Sequence, residues 1–503
     1  MQQLTGIDAA FLAMETSSVF GHVGSVCVLD PSTAAEPLTL ERLTGLIQDR
    51  LPLIPPFRRR LVEVPLGLDQ PYWIDDPGFD VEYHVRELAL PAPGDDRQLA
   101  EQAARLHARP LDRSRPLWEL YLIHGLSGGR MAIYTKVHHA AIDGVSGNDL
   151  LSAVIDLSPQ GRPAAAAPPP WRGEAKPGTW QLLARSALSL SGHPVRAARV
   201  GYDLFRSAPA LAASPMMSRL PFVDQLLGRD SSSAFLPGAG GLRAPATPFN
   251  KAISPHRRWA FRTVPLDDVK AVKNRHGGTV NDVVMALATG ALRRWLLDHD
   301  ALPTAPLVAA VPVSIRTEAQ KGAAGNQVST MIAPLPTNLD DPVERLLACQ
   351  LAMRAAKEQH GALPATLLAD VSQFAMPALA GQAARLAARV RLVERVSPFN
   401  LFVSNVPGPN LPLYYAGCRL LAYYPLSAIA DGQGLNITVM SLDGGMHFGL
   451  IADRELVPDL DVMAGYLIDE LALLQPTVAP STARPGRSGR GGRADAVPRR
   501  RPA

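Results

Sequence analysis

The sequence predicts an α/β protein built as two lobes, and three observations predict it. With 503 residues, 47% apolar and only 19% charged, the chain can bury more than one core and is not disordered as a whole. Strand-like and helix-like periodicities are mixed on both sides of a central irregular region. That region opens with residues 158–177, whose six prolines, two glycines and five alanines suit a linker and no regular element. It closes with the Ser-, Gly- and Pro-rich stretch from Ser231 to Pro255. The expected organisation is an N-terminal lobe over 1–157, a linker and connection over 158–250, a C-terminal lobe over 251–476 and a disordered tail over 477–503.

In the first lobe, Val23, Ser25, Cys27 and Leu29 alternate with Gly24, Val26 and Val28, the period of two that marks a strand. Leu40, Leu43, Ile47 and Leu51 fall at helical spacing and stop at Pro52. The run from Arg130 to Val137 alternates as a strand and leads into His138-His139-Ala140-Ala141-Ile142-Asp143-Gly144. Asp143 to Ser146 then reads as a turn into a helix carrying Leu150, Leu151, Val154, Ile155 and Leu157. The second lobe repeats the mixture: a strand over Trp259–Val264, an apolar helix over Val280–Trp295, a strand over Leu307–Val313, and a last helix bearing Met463, Leu467, Leu471 and Leu474.

Charge narrows the function. The tail holds seven arginines against Asp495, a net of +6, which leaves −2 of the overall +4 for residues 1–476. Nucleic-acid binding by the folded part therefore has no support, because tracking phosphates needs clustered cations on a folded face. Cys27, Cys349 and Cys418 lie far apart with no CxxC, so neither a disulfide framework nor a zinc site is encoded, and a reducing cytosol is the simplest setting. The N-terminus lacks the basic and apolar regions of a secretory signal. No uncharged apolar run reaches the ~18 residues of a spanning helix, so contact with a membrane or lipid droplet is expected at its surface. Lys176 to Arg229, with a net of +5 and leucines interleaved among its arginines, is either a helix lying in an anionic interface or an amphipathic connection packed on the lobes. Periodicity does not separate the two.

The chemistry concentrates at the paired histidines. If strand geometry persists through them, their side chains point to opposite faces and only one enters a given cleft. A histidine at a strand-to-helix turn can act as a general base, since an ordinary pKa near 6.5 leaves it neutral and accepting at physiological pH. It can equally be a satisfied core residue, and Asp143 can either fix a tautomer or make a structural ion pair. Gly144-Val145-Ser146-Gly147 lacks the spacing of a nucleophile elbow. No HExxH, P-loop or strand-linked GxGxxG occurs. Without nucleophile, metal or nucleotide motif, direct base-assisted transfer remains.

The HHxxxDG pattern resembles that of the CoA-dependent acyltransferase superfamily, which includes chloramphenicol acetyltransferase-like enzymes and condensation domains. Further motifs resemble the bacterial wax ester synthase/diacylglycerol acyltransferase family: Pro116-Leu117-Trp118-Glu119 with Gly125-Leu126, Thr279 to Val283, Val311 to Arg316, Gly325-Asn326-Gln327, and Ser404 to Pro409. They occur in family order, so the resemblance covers all but the tail. It implies a two-lobed fold with a tunnel between the lobes, acyl-CoA entering from one side and the lipid alcohol from the other. It also implies His139 as catalytic base, His138 as its less exposed neighbour, Asp143 as a structural, loop-holding residue with Arg316 as a candidate partner, and Gly144 as the motif turn. Asn281 is a candidate for the tunnel wall. Asp282 has a structural explanation as the last member of a capping box begun by Thr279, and Trp118 is expected in the core.

The implied activity is acyl-CoA-dependent O-acyl transfer without metal or cofactor, acyl-CoA being a co-substrate. The acceptor is diacylglycerol, giving triacylglycerol, or a long-chain fatty alcohol, giving wax ester; no residue decides. The setting is cytoplasmic, peripheral to the inner membrane or lipid droplets. Two other readings are a non-catalytic lipid-surface protein on the same fold, against which the intact motif argues, and a carrier-protein-dependent acyltransferase, against which the absence of an attached carrier domain argues.

Overall fold

A computed structural model describes residues 1–142, 153–162, 173–191, 244–314, 328–361 and 397–475. In its N-terminal part, helix α1 (Gly6–Ala13) precedes strand β1 (His22–Asp30) and helix α2 (Leu40–Arg50). Short strands β2 (Arg59–Val62) and β3 (Tyr72–Asp75) are followed by strand β4 (Val85–Ala89), helix α3 (Asp96–His107), and strands β5 (Trp118–His124) and β6 (Met131–His138). Helix starts are capped by the side chains at hand. Thr5 and Thr39 accept backbone N–H groups of Asp8 and Arg42, and Asp95 with Gln98 forms a capping box at α3. Each of these bonds satisfies a donor that the first helical turn leaves without an internal partner.

Helix α4 (Thr179–Ser191) leads into the C-terminal part: β7 (Arg257–Pro265), α5 (Leu266–His276), α6 (Val280–Asp298), β8 (Leu307–Ser314), β9 (Val328–Leu335) and α7 (Pro342–Gly361). The chain finishes with β10 (Leu401–Val406), β11 (Cys418–Leu426), β12 (Leu435–Leu442), β13 (Gly445–Asp453) and α8 (Leu460–Leu474). The C-terminal sheet has the order β9-β8-β10-β12-β13-β7, with parallel pairing of β10 to both neighbours and antiparallel pairing elsewhere. Met463, Leu467, Leu471 and Leu474 of α8 are buried together with α6, as the spacing predicts.

The N-terminal sheet does not follow the division at 158–250. Its order runs from the two-residue strand Tyr414–Tyr415 through β11, β1, β6 and β5 to β4. Strand β11 leaves the C-terminal part and pairs antiparallel with β1, Tyr423 opposite Cys27. Residues assigned by sequence to 251–476 thus complete the other lobe's sheet. Nothing local in Cys418–Leu426 says which sheet receives it.

Both faces of β1 and β6 are covered by packed layers. Cys27, Leu29 and Ile133 face the N-terminal core. Val26, Val28 and Tyr134 face a second core shared with Trp259, Phe261, Tyr424 and Ile451. The two sheets approach closely there. A Cβ on Gly449 of β13 would stand 1.9 Å from the Pro425 carbonyl oxygen, so only glycine fits.

The helix expected through Leu157 ends earlier. Val154 and Ile155 are buried, but Asp156 exchanges backbone hydrogen bonds with Tyr414, and Leu157 is 74% exposed. The Asp156 carboxylate meets Arg50 at 3.2 Å and Arg162 at 2.8 Å, which anchors the chain in an extended course. The three cysteines are buried free thiols.

Candidate active site

Strand β6 ends at His138 because that side chain caps the next turn. His138 Nδ1 accepts the Ala140 N–H at 3.1 Å and opens a short 3-10 turn, His139–Ala141. The two histidines therefore separate by a change of backbone conformation rather than by strand alternation. His138 is 1% exposed. His139 is half-buried, its ring stacked on Phe11 of α1 with centroids 4.2 Å apart.

A carboxylate distant in sequence organises this corner. Glu15, just past α1, accepts His138 Nε2 at 3.1 Å and the Gly21 N–H at 2.8 Å on one oxygen. Its other oxygen accepts Arg113 Nη2 at 2.7 Å and Nε at 3.2 Å. Since Nδ1 of His138 is an acceptor, its ring proton sits on Nε2, facing Glu15. Burial, the largest single effect, pushes the Glu15 carboxyl up. The hydrogen bonds from His138, the Gly21 N–H and Arg113 outweigh it and hold the carboxyl at about 2. Gly21 in turn accepts the backbone N–H of His139 at 2.8 Å. Glu15 thus holds the His138 ring directly and the His139 backbone through Gly21.

Gly21 has no room for a side chain: a Cβ there would lie 2.7 Å from His138 Nε2. Gly21→Ala is expected to displace the His138 ring from Glu15 and lower turnover more than substrate affinity. The kcat and KM of the purified variant check this; unchanged kcat would refute the clamp.

Behind the histidines lies a buried polar layer. Lys136, two residues before His138 and fully buried, donates to Glu119 at 3.0 Å and to the carbonyls of Leu106 and Arg109 at 3.1 Å, closing the end of α3. His22, directly opposite His138 in the sheet, bonds the His107 carbonyl, and His107 bonds the Tyr134 hydroxyl. Burial, with the nearby Lys136 charge, drives the pKa values of His22 and His107 well below the usual range, so both stay neutral. From the C-terminal sheet, the buried Arg257 of β7 reaches the Ser18 carbonyl and lies 5.2 Å from the Phe20 ring. The loop that supplies Gly21 is therefore held from both lobes.

Residues 4–284 match the model of the wax ester synthase/diacylglycerol acyltransferase catalytic domain, and residues 324–475 match its C-terminal domain. The chain belongs to this family. A Mycobacterium tuberculosis relative described as a putative diacylglycerol O-acyltransferase is 39% identical over 463 residues, covering 92% of this chain and 87% of its own length. Another from the same organism is 36% identical over 473 residues, covering 94% and 98%. The solved wax ester synthase/diacylglycerol acyltransferase of Marinobacter aquaeolei VT8 superposes with a TM-score of 0.65 at 30% identity, covering 94% of this chain and 98% of that one. The first condensation domain of the calcium-dependent antibiotic synthetase, at 16% identity and a TM-score of 0.54, shares the fold over 94% of this chain and 96% of its own.

The other motif positions of this family member sort by environment. Trp118 is a core residue, stacked between Phe57 and His84 with its N–H on the Phe57 carbonyl at 2.8 Å. Glu119 beside it is the partner of Lys136. Asp282 closes the capping box of α6, accepting the Thr279 N–H at 2.7 Å. Asn281 accepts Asn405 Nδ2 of β10 at 3.3 Å, which joins the Thr279–Val283 and Ser404–Pro409 motifs within the C-terminal lobe. Asp143, Gly144 and Arg316 lie outside the described residues. Glu15, Arg113 and Arg257 were not legible in the sequence, because 123 residues separate Glu15 from His138 and no spacing signals the contact.

Proposed function

We propose that this protein transfers a long-chain acyl group from acyl-CoA to the free hydroxyl of diacylglycerol, forming triacylglycerol. His139 is the general base. Its imidazole takes the hydroxyl proton while that oxygen attacks the thioester carbonyl, and the tetrahedral intermediate collapses with cleavage of the C–S bond. The imidazolium then returns the proton to the departing CoA thiolate. Atoms balance without an acyl-enzyme, and no cofactor or metal is needed. The family resemblance gives Asp143 a loop-holding role and Gly144 the motif turn, and it makes Asn281 the candidate for the tunnel wall.

The observation that carries this reading is the division of labour between adjacent histidines. His138 is buried and committed on both ring nitrogens, whereas His139 is half-buried on a turn whose backbone is tethered at Gly21. The relatives named as diacylglycerol O-acyltransferases support the acceptor. Among the described residues no helix is long and apolar enough to cross a membrane, and we propose peripheral association with the inner membrane or lipid droplets, where both substrates partition.

The test is CoA release by the full chain with palmitoyl-CoA and dispersed diacylglycerol, against hexadecanol as the competing acceptor. Release that requires diacylglycerol and yields triacylglycerol is expected. Faster release with hexadecanol would reassign the protein to wax ester synthesis, and no release with either acceptor would overturn the reading.

A further inference from the structure

Arg257, at the start of β7, is 6% exposed, and among the described residues its guanidinium donates to backbone carbonyls only. Nη1 reaches Ser254 at 2.7 Å and His256 at 3.3 Å in its own lobe. Nη2 crosses to the Ser18 carbonyl of the N-terminal lobe, 239 positions away. Asp453, directly opposite Arg257 in the sheet, is committed to Ser254, Glu455 and Leu456. Burial draws the Arg257 pKa down to about 10 against the attraction of Asp453 and Asp431, and the group stays charged at neutral pH. Taking a guanidinium out of water is costly. Apolar packing already joins the two sheets through Trp259, Phe261 and Tyr424, so cohesion alone does not call for a buried cation at this place.

What the cation holds is a loop already tied within itself. Thr16 Oγ1 accepts the N–H groups of Ser18 at 3.2 Å and Val19 at 3.0 Å, and the Thr16 N–H donates to the Val19 carbonyl at 3.0 Å. Phe20, whose ring lies under the Arg257 guanidinium, stacks on His22 with centroids 5.4 Å apart and planes 7° from parallel. Gly21 follows, its N–H on Glu15 and its carbonyl on the His139 N–H. A shift at Ser18 is therefore passed along this short path to the backbone of His139. We infer that Arg257 is a positioning residue for the general base: from the C-terminal lobe it fixes the loop over residues 16–21, and through Gly21 it sets His139, so that the base is aligned only while the two lobes are clasped. The inference rests on the acyltransferase reading for the work His139 does, and not for the clasp itself.

The full chain carries the test. Arg257→Met, similar in length and without charge, should lower kcat with palmitoyl-CoA and diacylglycerol by ~10-fold or more, because small misplacements of a catalytic group cost up to ~10²-fold. The KM of each substrate should stay within about twofold, the split expected when alignment rather than binding is lost. Arg257→Lys should recover part of kcat. In a His139→Ala background, Arg257→Met should cost nothing further, since the base it aligns is gone. Hydrogen exchange read by mass spectrometry is independent of turnover: in Arg257→Met, peptides covering residues 16–22 and 137–142 should exchange faster, and those of α6 at the wild-type rate. Wild-type kcat in folded Arg257→Met, or a fall that multiplies with that of His139→Ala, would overturn the inference, the second result making Arg257 a general support of the lobes. If Arg257→Met does not fold, Arg257→Lys decides: wild-type kcat together with wild-type exchange in both segments refutes the clasp. A wild-type chain that releases no CoA, with exchange accelerated in Arg257→Met, would instead remove the acyltransferase reading and leave the clasp standing.

Discussion

Replacing His139 with alanine is expected to lower CoA release by ~10²- to 10⁴-fold, the contribution of one positioned base. Its ring is half-buried and stacks on Phe11, so the unfolding midpoint should move little. His138→Ala should show the opposite balance. It leaves the half-buried Glu15 carboxylate without a ring donor, a loss of ~1–3 kcal/mol, while His139 remains, so turnover falls less than in His139→Ala. Steady-state kinetics beside urea titrations of both variants checks the pair. Near wild-type turnover in folded His139→Ala would end the mechanism.

Glu15→Gln carries the second large effect, and its sign comes from the depressed carboxyl. Glu15 titrates at about 2 in the fold against 4.5 ordinarily. Its charge therefore stabilises the native state fully above pH 4.5, and that stabilisation drains away as pH falls toward 2. A shift of this size is worth about 3 kcal/mol at neutral pH. The gap in unfolding free energy between wild type and Glu15→Gln should hold from pH 7 to about 5 and narrow below 4.5. Turnover should fall as well, because the His139 backbone is tethered through Gly21, whose N–H rests on Glu15. Urea midpoints collected across pH decide it. A variant as stable as wild type at pH 7, or a gap that widens in acid, would show that Glu15 does not hold the corner.

The motif histidines, the strands β1 and β6, and the helices α2, α6 and α8 were all legible because each rests on interactions between near neighbours in sequence. Alternation places Cys27 and Leu29 on one face of β1, and Val26 and Val28 on the other. Thr279 and Asp282 cap α6 from three residues apart. The HHxxxDG run and the order of the flanking motifs were legible too, and the family they resemble is the one whose models match the chain.

Tertiary structure alone decided the rest, for reasons of distance. The exchange of β11 into the N-terminal sheet, the Glu15–His138 clamp and the reach of Arg257 to Ser18 join residues more than a hundred positions apart. Hydrophobic periodicity could mark α4 as amphipathic but not say which leucines turn inward. That was settled by the three-stranded sheet of β2, β3 and Gln2–Gln3, which takes Leu182 into its core and leaves Trp180 and Leu188 exposed. The chain by itself determines which segments are strands and helices and which side chains can do chemistry, because local sterics and patterning act over a few residues. Which histidine holds the corner depends on a carboxylate delivered from another element, and only the packed fold brings it there.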